Sequence, residues 1–219
     1  MSVKVVIGKD LLEENKKKAS DLRQRFQEAG VKVVNVLSSP GAGKTTLLLK
    51  SIPRLRDLGL RVGVIEGDVA TARDAERLSP LGIPVVQITT LGACHLDSAM
   101  VWAALSEIDL SQLDLLFIEN VGNLVCPASF DLAEDLRIVV LSTTEGEDKP
   151  AKYPKAFLTS QAVVINKLDL MPYIEYDLER VSSEISGLNP SLKIFRVSCR
   201  TEEGLDEWCK WLASWARSR

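Results

Sequence analysis

The chain contains 219 residues, of which 46% are hydrophobic and 26% are charged, so its composition excludes a disordered or fibrous protein and fits one large globular domain. Its 27 lysines and arginines stand against 30 aspartates and glutamates, and this lack of basic excess predicts no nucleic-acid partner. No apolar run reaches membrane-spanning length, the N-terminal sequence lacks the apolar core of a secretory signal, and the four cysteines do not resemble a disulfide framework. These features predict a cytoplasmic protein without a membrane partner.

Helical and strand-like hydrophobic patterns alternate along the chain. The first helical pattern ends at Gly30, and we interpret residues 1–30 as an N-terminal helical extension and residues 31–219 as one further domain. Short apolar runs without in–out alternation suit strands that are covered on both faces. They occur at VVNVL, RVGVIEG, VVQIT, LDLLFIEN, RIVVLS, AVVINK and KIFRVS. The pattern predicts an α/β fold with a doubly wound, mostly parallel sheet of about seven strands flanked by helices, and a long mobile loop at TTEGEDKPAKYP.

The first predicted strand leads into SSPGAGKTTLL, the pattern of the phosphate-binding loop of P-loop NTPases. Gly41 and Gly43 allow the backbone to curl so that its N–H groups point at phosphate oxygens. Lys44 is predicted to neutralise the outer phosphates and to act in catalysis, and Thr45 is predicted to bind Mg²⁺. Ser38 replaces the first glycine of the usual pattern. The predicted phosphate-side residues are Gly41, Ala42, Gly43, Lys44, Thr45 and Thr46.

A later apolar run ends in INKLD, which indicates guanine as the base. Asp169 is placed to accept two hydrogen bonds from the guanine edge, a donor pair that adenine lacks. We expect Lys167 to lay its stem along the base and Asn166 to tie this loop to the phosphate loop. The segment VSCRTEEGLDEW follows the last predicted strand, and we expect the backbone around Ser198 and Cys199 to meet the base.

Two segments between these motifs are candidates for the γ-phosphate side of the site. IEGDVAT places Asp68 beyond a strand, where we expect it to meet Mg²⁺ or the attacking water. FIENVGNLVCP places Glu119 and Gly122 where GTPases carry an Asp-x-x-Gly motif that senses the γ-phosphate, and Asn123 where many have a water-positioning glutamine. No catalytic base is assigned, and slow hydrolysis is expected. The predicted catalytic residues are Lys44 and Asp68, and the predicted Mg²⁺ ligands are Thr45, Asp68 and Glu119.

The single histidine of the chain, His95, lies beside Cys94, and Cys126 follows Gly122 by four residues. Both segments follow predicted strands, at the sheet edge where ligands bind in this fold. GACH also precedes the helical pattern LDSAMVWAALSEI, so Cys94 and His95 are predicted to lie at a helix N-terminus, which would lower the pKa of the Cys94 thiol and favour a metal-binding thiolate. Two sulfurs and one nitrogen suit Zn²⁺ or Ni²⁺ but leave a tetrahedral site open, which a symmetric dimer would complete. The alternative is a buried cysteine beside an incidental histidine.

The segments SSPGAGKTT, GDVAT, DAERL, CHLD, DLLFIENVGNLVCP, STTEGEDKP and VINKLDL together resemble the HypB family, the nickel-inserting GTPases of hydrogenase maturation. The similarity runs from Val33 to the C-terminus. The resemblance implies a GTPase that uses Mg²⁺ and binds Ni²⁺ or Zn²⁺ through Cys94, His95 and Cys126. It also implies a homodimer with GTP, a small nickel metallochaperone as a partner, and a hydrogenase large-subunit precursor as the recipient of nickel.

Two other functions stay open on the sequence. One is a related GTPase that serves another metalloenzyme, such as urease or a cobalamin-dependent mutase, although the co-occurrence of CHLD and NLVCP favours hydrogenase. The other is a metal carrier that is gated by GTP binding and does not hydrolyse the nucleotide. Single-turnover hydrolysis distinguishes this carrier from an enzyme.

Overall fold

The computed structural model describes residues 8–71 and 73–218. Within these ranges the strands are β1 (Lys32–Ser38), β2 (Val62–Asp68), β3 (Val85–Thr89), β4 (Leu115–Glu119), β5 (Leu136–Ser142), β6 (Ala162–Asn166) and β7 (Lys193–Arg196). The α-helices are α1 (Gly8–Ala29), α2 (Lys44–Asp57), α3 (Arg73–Leu78), α4 (Ser98–Ala104), α5 (Lys149–Lys152), α6 (Pro154–Leu158), α7 (Leu178–Leu188) and α8 (Leu205–Arg217). Short 3₁₀ helices cover Ser79–Leu81, Leu105–Glu107, Leu110–Gln112, Pro127–Ser129, Thr143–Glu145 and Leu168–Tyr173.

All seven strands join one sheet in the order β3-β2-β4-β1-β5-β6-β7. Every pairing between the described strands is parallel, so the predicted doubly wound sheet is confirmed. β1 lies between β4 and β5 near the middle of the sheet. Because the carboxyl ends of parallel strands lie at one edge, the segments that follow β1, β2, β4, β5 and β6 meet there.

Helices cover both faces of the sheet, because apolar side chains point alternately to opposite faces along each strand. Val34 and Val36 of β1 pack in one cluster with α2 and α8. Val33 packs in a second cluster with α1 and α4, and Leu37 in a third cluster with α6 and α7. No helix in the described ranges is both long and apolar enough to cross a membrane.

Helix α1, predicted as part of an N-terminal helical extension, packs into the domain core, and residues 1–7 of that predicted extension lie outside the described residues. Leu22 is fully buried and Phe26 is 2% exposed, and both pack in the same cluster as Val33 of β1. Asn15 Nδ2 donates to the backbone oxygen of Asp131 at 2.8 Å. The boundary predicted at residue 30 therefore lies inside one packing unit, because the apolar stripe of α1 covers part of the sheet face.

The segment TTEGEDKPAKYP, expected as a long loop, is largely helical. Thr143–Glu145 forms a 3₁₀ turn, and α5 and α6 follow it. Pro150 and Pro154 occupy the first turns of these two helices. There the fixed φ of proline favours the helix and its missing N–H leaves no intrahelical bond unmade. The prediction of a long loop was wrong because both prolines lie in the first turns of short helices.

Candidate functional site

The phosphate loop joins the end of β1 to the first turn of α2. Gly41 and Gly43 have φ values of 78° and 100°, which favour glycine. A Cβ at Gly43 would also lie 2.5 Å from Nδ2 of Asn166. Lys44 begins α2, and its Nζ donates to Oγ of Ser38 at 3.1 Å. The serine that replaces the usual glycine therefore binds the lysine of the loop.

The loop that follows β6 is hydrogen-bonded to the phosphate loop. Asn166 Nδ2 donates to the carbonyl oxygen of Ala42 at 3.1 Å, and Lys167 Nζ donates to that of Gly41 at 2.8 Å. Oδ1 of Asn166 accepts from the backbone N–H of Cys199 at 3.1 Å. Asn166 thus joins its loop to the phosphate loop, as the INKLD motif predicted, and also joins it to the segment that follows β7.

These loops border a cavity of about 260 Å³ next to the first turn of α2. Asp169 lies in the cavity wall, and the Ser198 hydroxyl donates to its Oδ1 at 2.6 Å. Leu170 and Arg200 also lie in the wall, although the sequence motifs do not single them out. The wall consists of Gly43, Thr46, Asn166, Lys167, Asp169, Leu170, Cys199 and Arg200.

An acidic cluster adjoins the phosphate loop. Glu119 is 1% exposed, its Oε1 accepts from Thr45 Oγ1 at 2.8 Å, and Lys44 Nζ lies 3.9 Å from the same oxygen. Glu66 of β2 and Asp74 of α3 each place a carboxylate oxygen within 4.8 Å of one another and of Glu119. Neither Glu66 nor Asp74 is predicted from the sequence. The position of Glu66 inside the apolar run RVGVIEG was a sequence signal for a functional carboxylate.

A divalent cation fits this cluster. Oε2 of Glu66 and Oε2 of Glu119 are buried and have no hydrogen-bond partner among the described residues. Burial raises the pKa of Glu66 to about 8, and the neighbouring charge of Glu119 adds to the effect. Burial also raises the pKa of Glu119 to about 7, against the opposing charge of Lys44. A set of carboxylate oxygens and one threonine hydroxyl is the kind of oxygen ligand set that Mg²⁺ prefers.

Asp68, a predicted Mg²⁺ ligand, does not belong to this cluster. It is the last residue of β2 rather than a residue beyond the strand, and its Oδ1 accepts from the backbone N–H groups of Ala70 at 2.8 Å and Thr71 at 2.7 Å. Partial burial opposes ionisation, but these hydrogen bonds outweigh it and lower the pKa of Asp68. Asp68 is therefore an ionised group that orders the start of the following loop.

The predicted thiol and imidazole ligands converge. Sγ of Cys94 lies 2.8 Å from Sγ of Cys126 and 3.7 Å from Nδ1 of His95, and one ligand atom from each residue lies within 4.8 Å of the others. The imidazole stacks on Phe130 with 3.8 Å between ring centroids. Burial lowers the pKa of His95, against the charge of Asp97, and so favours the neutral imidazole that binds metals. Two sulfurs and one imidazole nitrogen form a ligand set for Zn²⁺ or Ni²⁺.

The expectation that Cys94 and His95 start a helix is wrong. Helix α4 begins at Ser98, and its N-cap is Asp97, whose side chain accepts from the backbone N–H of Met100 at 2.8 Å. The carboxylate of Asp97 accepts a hydrogen bond from a backbone N–H in the first turn that has no partner within the helix, and this cap fixes the start of the helix at Ser98. The expected lowering of the Cys94 pKa is wrong as well, because hydrogen bonding to Cys126 and burial raise the pKa of that thiol. A cation bound to both sulfurs would reverse this shift.

The segment after β4 lies between the phosphate loop and the thiols. A Cβ on Gly122 would lie 3.0 Å from Cα of Pro40, so glycine permits close contact with the phosphate loop. Asn123 forms an antiparallel β-bridge with Ser38. Its Nδ2 donates to the carbonyl oxygen of Cys94 at 3.1 Å. The asparagine side chain is therefore bonded to the segment that carries Cys94.

A phosphate loop at the end of a central parallel strand, with helices on both sheet faces, places this chain in the class of P-loop nucleotide-binding proteins. Residues 32–196 match the family described as CobW/HypB/UreG, nucleotide-binding domain. The hydrogenase maturation factor HypB of Escherichia coli strain K12 is 45% identical to this chain over 203 residues, which cover 93% of this chain and 70% of the relative. The chain belongs to the HypB family.

Two further relatives are similar over nearly the whole chain. The crystal structure of HypB from Helicobacter pylori in complex with nickel has a TM-score of 0.87 and 38% sequence identity, and the match covers 93% of this chain and 95% of that one. The hydrogenase/urease maturation factor HypB of Helicobacter hepaticus is 44% identical over 205 residues, which cover 92% of this chain and 84% of the relative. The fold of this chain is therefore shared with that of a relative whose structure was solved in complex with nickel.

Proposed function

We propose that this chain is a GTP-hydrolysing metal carrier that binds Ni²⁺ or Zn²⁺ and supports nickel insertion into a [NiFe]-hydrogenase. The observation that carries the proposal is the convergence of Cys94, His95 and Cys126 on a segment that is bonded to the phosphate loop. The nickel complex of the Helicobacter pylori relative supports nickel as the cargo. The names of the relatives, hydrogenase maturation factors, support hydrogenase as the destination.

The proposed nucleotide is GTP. Asp169 offers a carboxylate in the wall of a cavity that adjoins the phosphate loop, where it would accept from the guanine edge. Lys44 would neutralise the charge that develops on the transferred phosphate, and the backbone N–H of Gly122 would contact the γ-phosphate. Backbone groups of Ser198 and Cys199 complete the proposed base site, since Cys199 is already bonded to Asn166.

Thr45 and Glu119 are the proposed Mg²⁺ ligands, because their side chains are bonded to each other and Glu119 has an unpartnered buried oxygen. When bound, Mg²⁺ would offset the charge of the outer phosphates. Glu66 and Asp74 contribute further oxygens to this cluster. Asp68 is proposed as a further Mg²⁺ ligand or as the residue that meets the attacking water, because its carboxylate is ionised and ends the adjacent strand.

The proposed active assembly is a homodimer that forms with GTP. Three ligands leave a tetrahedral ion one ligand short, and paired sites across a two-fold axis would supply the rest. The proposed partners are a small nickel metallochaperone and the hydrogenase large-subunit precursor. The four cysteines are free thiols, which fits a reducing cytoplasm as the proposed location.

Two measurements on the purified full chain test this proposal. Single-turnover hydrolysis of GTP separates an enzyme from a nucleotide-gated carrier, because the carrier would bind GTP without cleaving it. Titration with Ni²⁺ and Zn²⁺ in the presence of GDP or a non-hydrolysable GTP analogue, with the mass in solution measured for each state, tests cargo and dimerisation together. Absence of GTP cleavage, or absence of metal binding, would contradict the proposal.

Maturation of urease is a second candidate, because the name of the Helicobacter hepaticus relative includes both hydrogenase and urease. Expression of this chain in cells that lack their own HypB separates the two. Recovery of hydrogenase activity alone supports the first proposal, and recovery of urease activity supports the second.

A further inference from the structure

Asparagine side chains bind alternate backbone positions of the segment 94–98, which carries two of the three proposed metal ligands. Two of these asparagines follow β4 and the third belongs to α1. Their amides anchor the segment from two sides, so its path is set by side chains rather than by a helix or strand. The bonds join Asn123 Nδ2 to Cys94 O at 3.1 Å, Leu96 N to Asn120 Oδ1 at 3.2 Å, and Ser98 N to Asn15 Oδ1 at 2.8 Å.

Asn123 is also bonded to the nucleotide side of the molecule. Its backbone forms an antiparallel β-bridge with Ser38, whose hydroxyl accepts from Lys44 Nζ at 3.1 Å. The preceding residue, Gly122, packs against Pro40 so closely that an added Cβ would lie 3.0 Å from the proline Cα. A displacement of the phosphate loop would therefore displace the backbone of Asn123.

Both ends of the Asn123 side chain reach the thiol site. Nδ2 donates to the carbonyl oxygen of Cys94, and Oδ1 accepts from the backbone N–H of Val125 at 2.8 Å. The second bond closes the turn that leads directly into Cys126. One amide thus contacts the segments of both cysteines, whose sulfur atoms lie 2.8 Å apart.

We propose that Asn123 is a positioning residue that sets the separation of the two thiols and transmits the nucleotide state from the phosphate loop to the metal site. The inference rests on the proposed function, since it assumes a nucleotide and a metal cargo. A ligand that moves the phosphate loop shifts Asn123, and Asn123 moves the carbonyl of Cys94 relative to Cys126. Linkage requires the reverse effect, so metal bound at the thiols would change the nucleotide affinity by the same factor.

The substitution Asn123→Asp isolates the proposed bond. It keeps the shape of the side chain and the acceptor for Val125, and it removes the donor to Cys94. Asn189→Asp is a matched control that makes the same change of charge. Asn189 Oδ1 likewise accepts from a backbone N–H two residues later, that of Ser191 at 3.2 Å, and its Nδ2 donates to a distant carbonyl, that of Ser160 at 3.1 Å.

The experiment titrates the full-length parent and both variants with Ni²⁺, in GDP and in a non-hydrolysable GTP analogue. The near-ultraviolet thiolate-to-nickel charge-transfer band reports binding, and guanine-nucleotide affinity and thermal unfolding are measured on the same samples. In the parent and in Asn189→Asp, the two nickel dissociation constants should differ by about tenfold, within the usual range of allosteric coupling. In Asn123→Asp the ratio should fall to within about twofold of one, with nucleotide affinity unchanged.

The inference is overturned if the ratio of the nickel dissociation constants in GDP and in the GTP analogue is the same in Asn123→Asp as in the parent. Equal nickel affinity of the parent in both nucleotide states also overturns the inference, but it leaves the proposed metal site unaffected. If the parent binds no nickel in either nucleotide, the proposed function fails, and the two failures are distinguished by the parental titration alone. A change in the charge-transfer band of Asn123→Asp, absent from the control, supports the positioning of the thiols directly.

Discussion

The hydroxyl of Ser198 donates a hydrogen bond to Oδ1 of Asp169 at 2.6 Å. Ser198 is fully buried at the end of the sheet, so this bond fixes the orientation of the Asp169 carboxylate in the wall of the cavity beside the phosphate loop. A carboxylate held in one orientation accepts paired donors better than a freely rotating one, because less side-chain entropy is lost on binding. This relationship supports the proposed selectivity toward guanine.

We predict that Asp169→Asn weakens GTP binding by about 10- to 100-fold, since an unmade hydrogen bond to a buried polar group costs about 1–3 kcal/mol. The same variant should bind xanthosine triphosphate more tightly, because the 2-oxo group of xanthine needs a donor. Titration of parent and variant with GTP, ATP and xanthosine triphosphate checks both effects, with Asp57→Asn at the exposed end of α2 as the control. Comparable binding of GTP and ATP by the parent would contradict the assignment.

We predict that Lys44→Ala reduces single-turnover GTP hydrolysis by at least about 100-fold, because the cation at the transferred phosphate is lost. Lys50→Ala is the control, since Lys50 lies on the same helix but is paired with Glu202 at 2.7 Å. Hydrolysis near the parental rate in Lys44→Ala would mean that the loop has only a structural role.

The sheet, and the position of the site at the carboxyl ends of its strands, were predictable because both depend on local sequence patterns. Five of the strands (β1, β2, β4, β5 and β6) are short apolar runs that are almost wholly buried, and the edge strands β3 and β7 are apolar runs that are partly exposed. The glycines and lysine of the phosphate loop follow the first run directly. Cys94 and Cys126 lie 32 positions apart, yet both follow strands. Because the carboxyl ends of parallel strands lie at one edge, the fold class placed both cysteines at that edge, although β2 lies between the two strands.

Other parts of the site depend on tertiary contacts that no sequence pattern contains. The contact of Asn123 with Cys94 joins residues 29 positions apart, through a side chain that in isolation resembles a catalytic group. Asp74 joins the acidic cluster because the short helix α3 packs beside α2 and β3. Helix α4 starts at Ser98 rather than at Cys94 because Asp97 caps it, and an aspartate before a helical pattern is the sequence signal for such a start.

We predict that Phe26→Ala lowers the free energy of unfolding by about 3–5 kcal/mol, the usual loss for truncation of a buried aromatic side chain. Phe26 is 2% exposed and packs against the sheet, so α1 should unfold together with the rest of the domain. Leu11→Ala, at a position that is 56% exposed on the same helix, should change the value by no more than about 0.5 kcal/mol. Urea unfolding measures the free energy of unfolding of both variants. A small effect of Phe26→Ala would mean that α1 contributes little to the packing of the domain.

We predict that the protein, free of nucleotide and Mg²⁺, becomes less stable as pH rises from about 4.5 to about 8. Burial raises the pKa of Glu66 from 4.5 to about 8, so the folded state holds a proton that the unfolded chain has released. Stability is lost wherever the folded state binds more protons than the unfolded state, and this window spans the two pKa values. Glu119, with its pKa raised to about 7, acts in the same direction.

Thermal unfolding across this pH range measures the effect. Glu66→Gln removes the titrating group and should flatten the decline, whereas Glu76→Gln on the exposed side of α3 should leave it unchanged. Equal pH dependence in parent and Glu66→Gln would mean that the Glu66 carboxyl is not kept protonated by the fold.

The last prediction concerns the metal ligands themselves. Cys94→Ala, His95→Ala and Cys126→Ala should each weaken Ni²⁺ binding by more than about 10- to 100-fold. Loss of a group that only hydrogen-bonds to a metal ligand already weakens metal binding by that factor, and loss of the ligand itself should weaken it more. Cys209→Ala is the matched thiol control. Cys209 is 1% exposed in the core on α8 and does not belong to the cluster of Cys94, His95 and Cys126. Calorimetric titration in a reducing buffer, with GTP analogue present, gives the affinities. If the three ligand variants and the control bind nickel alike, the metal lies elsewhere, and the convergence of the two sulfurs with the single histidine is only a packing contact.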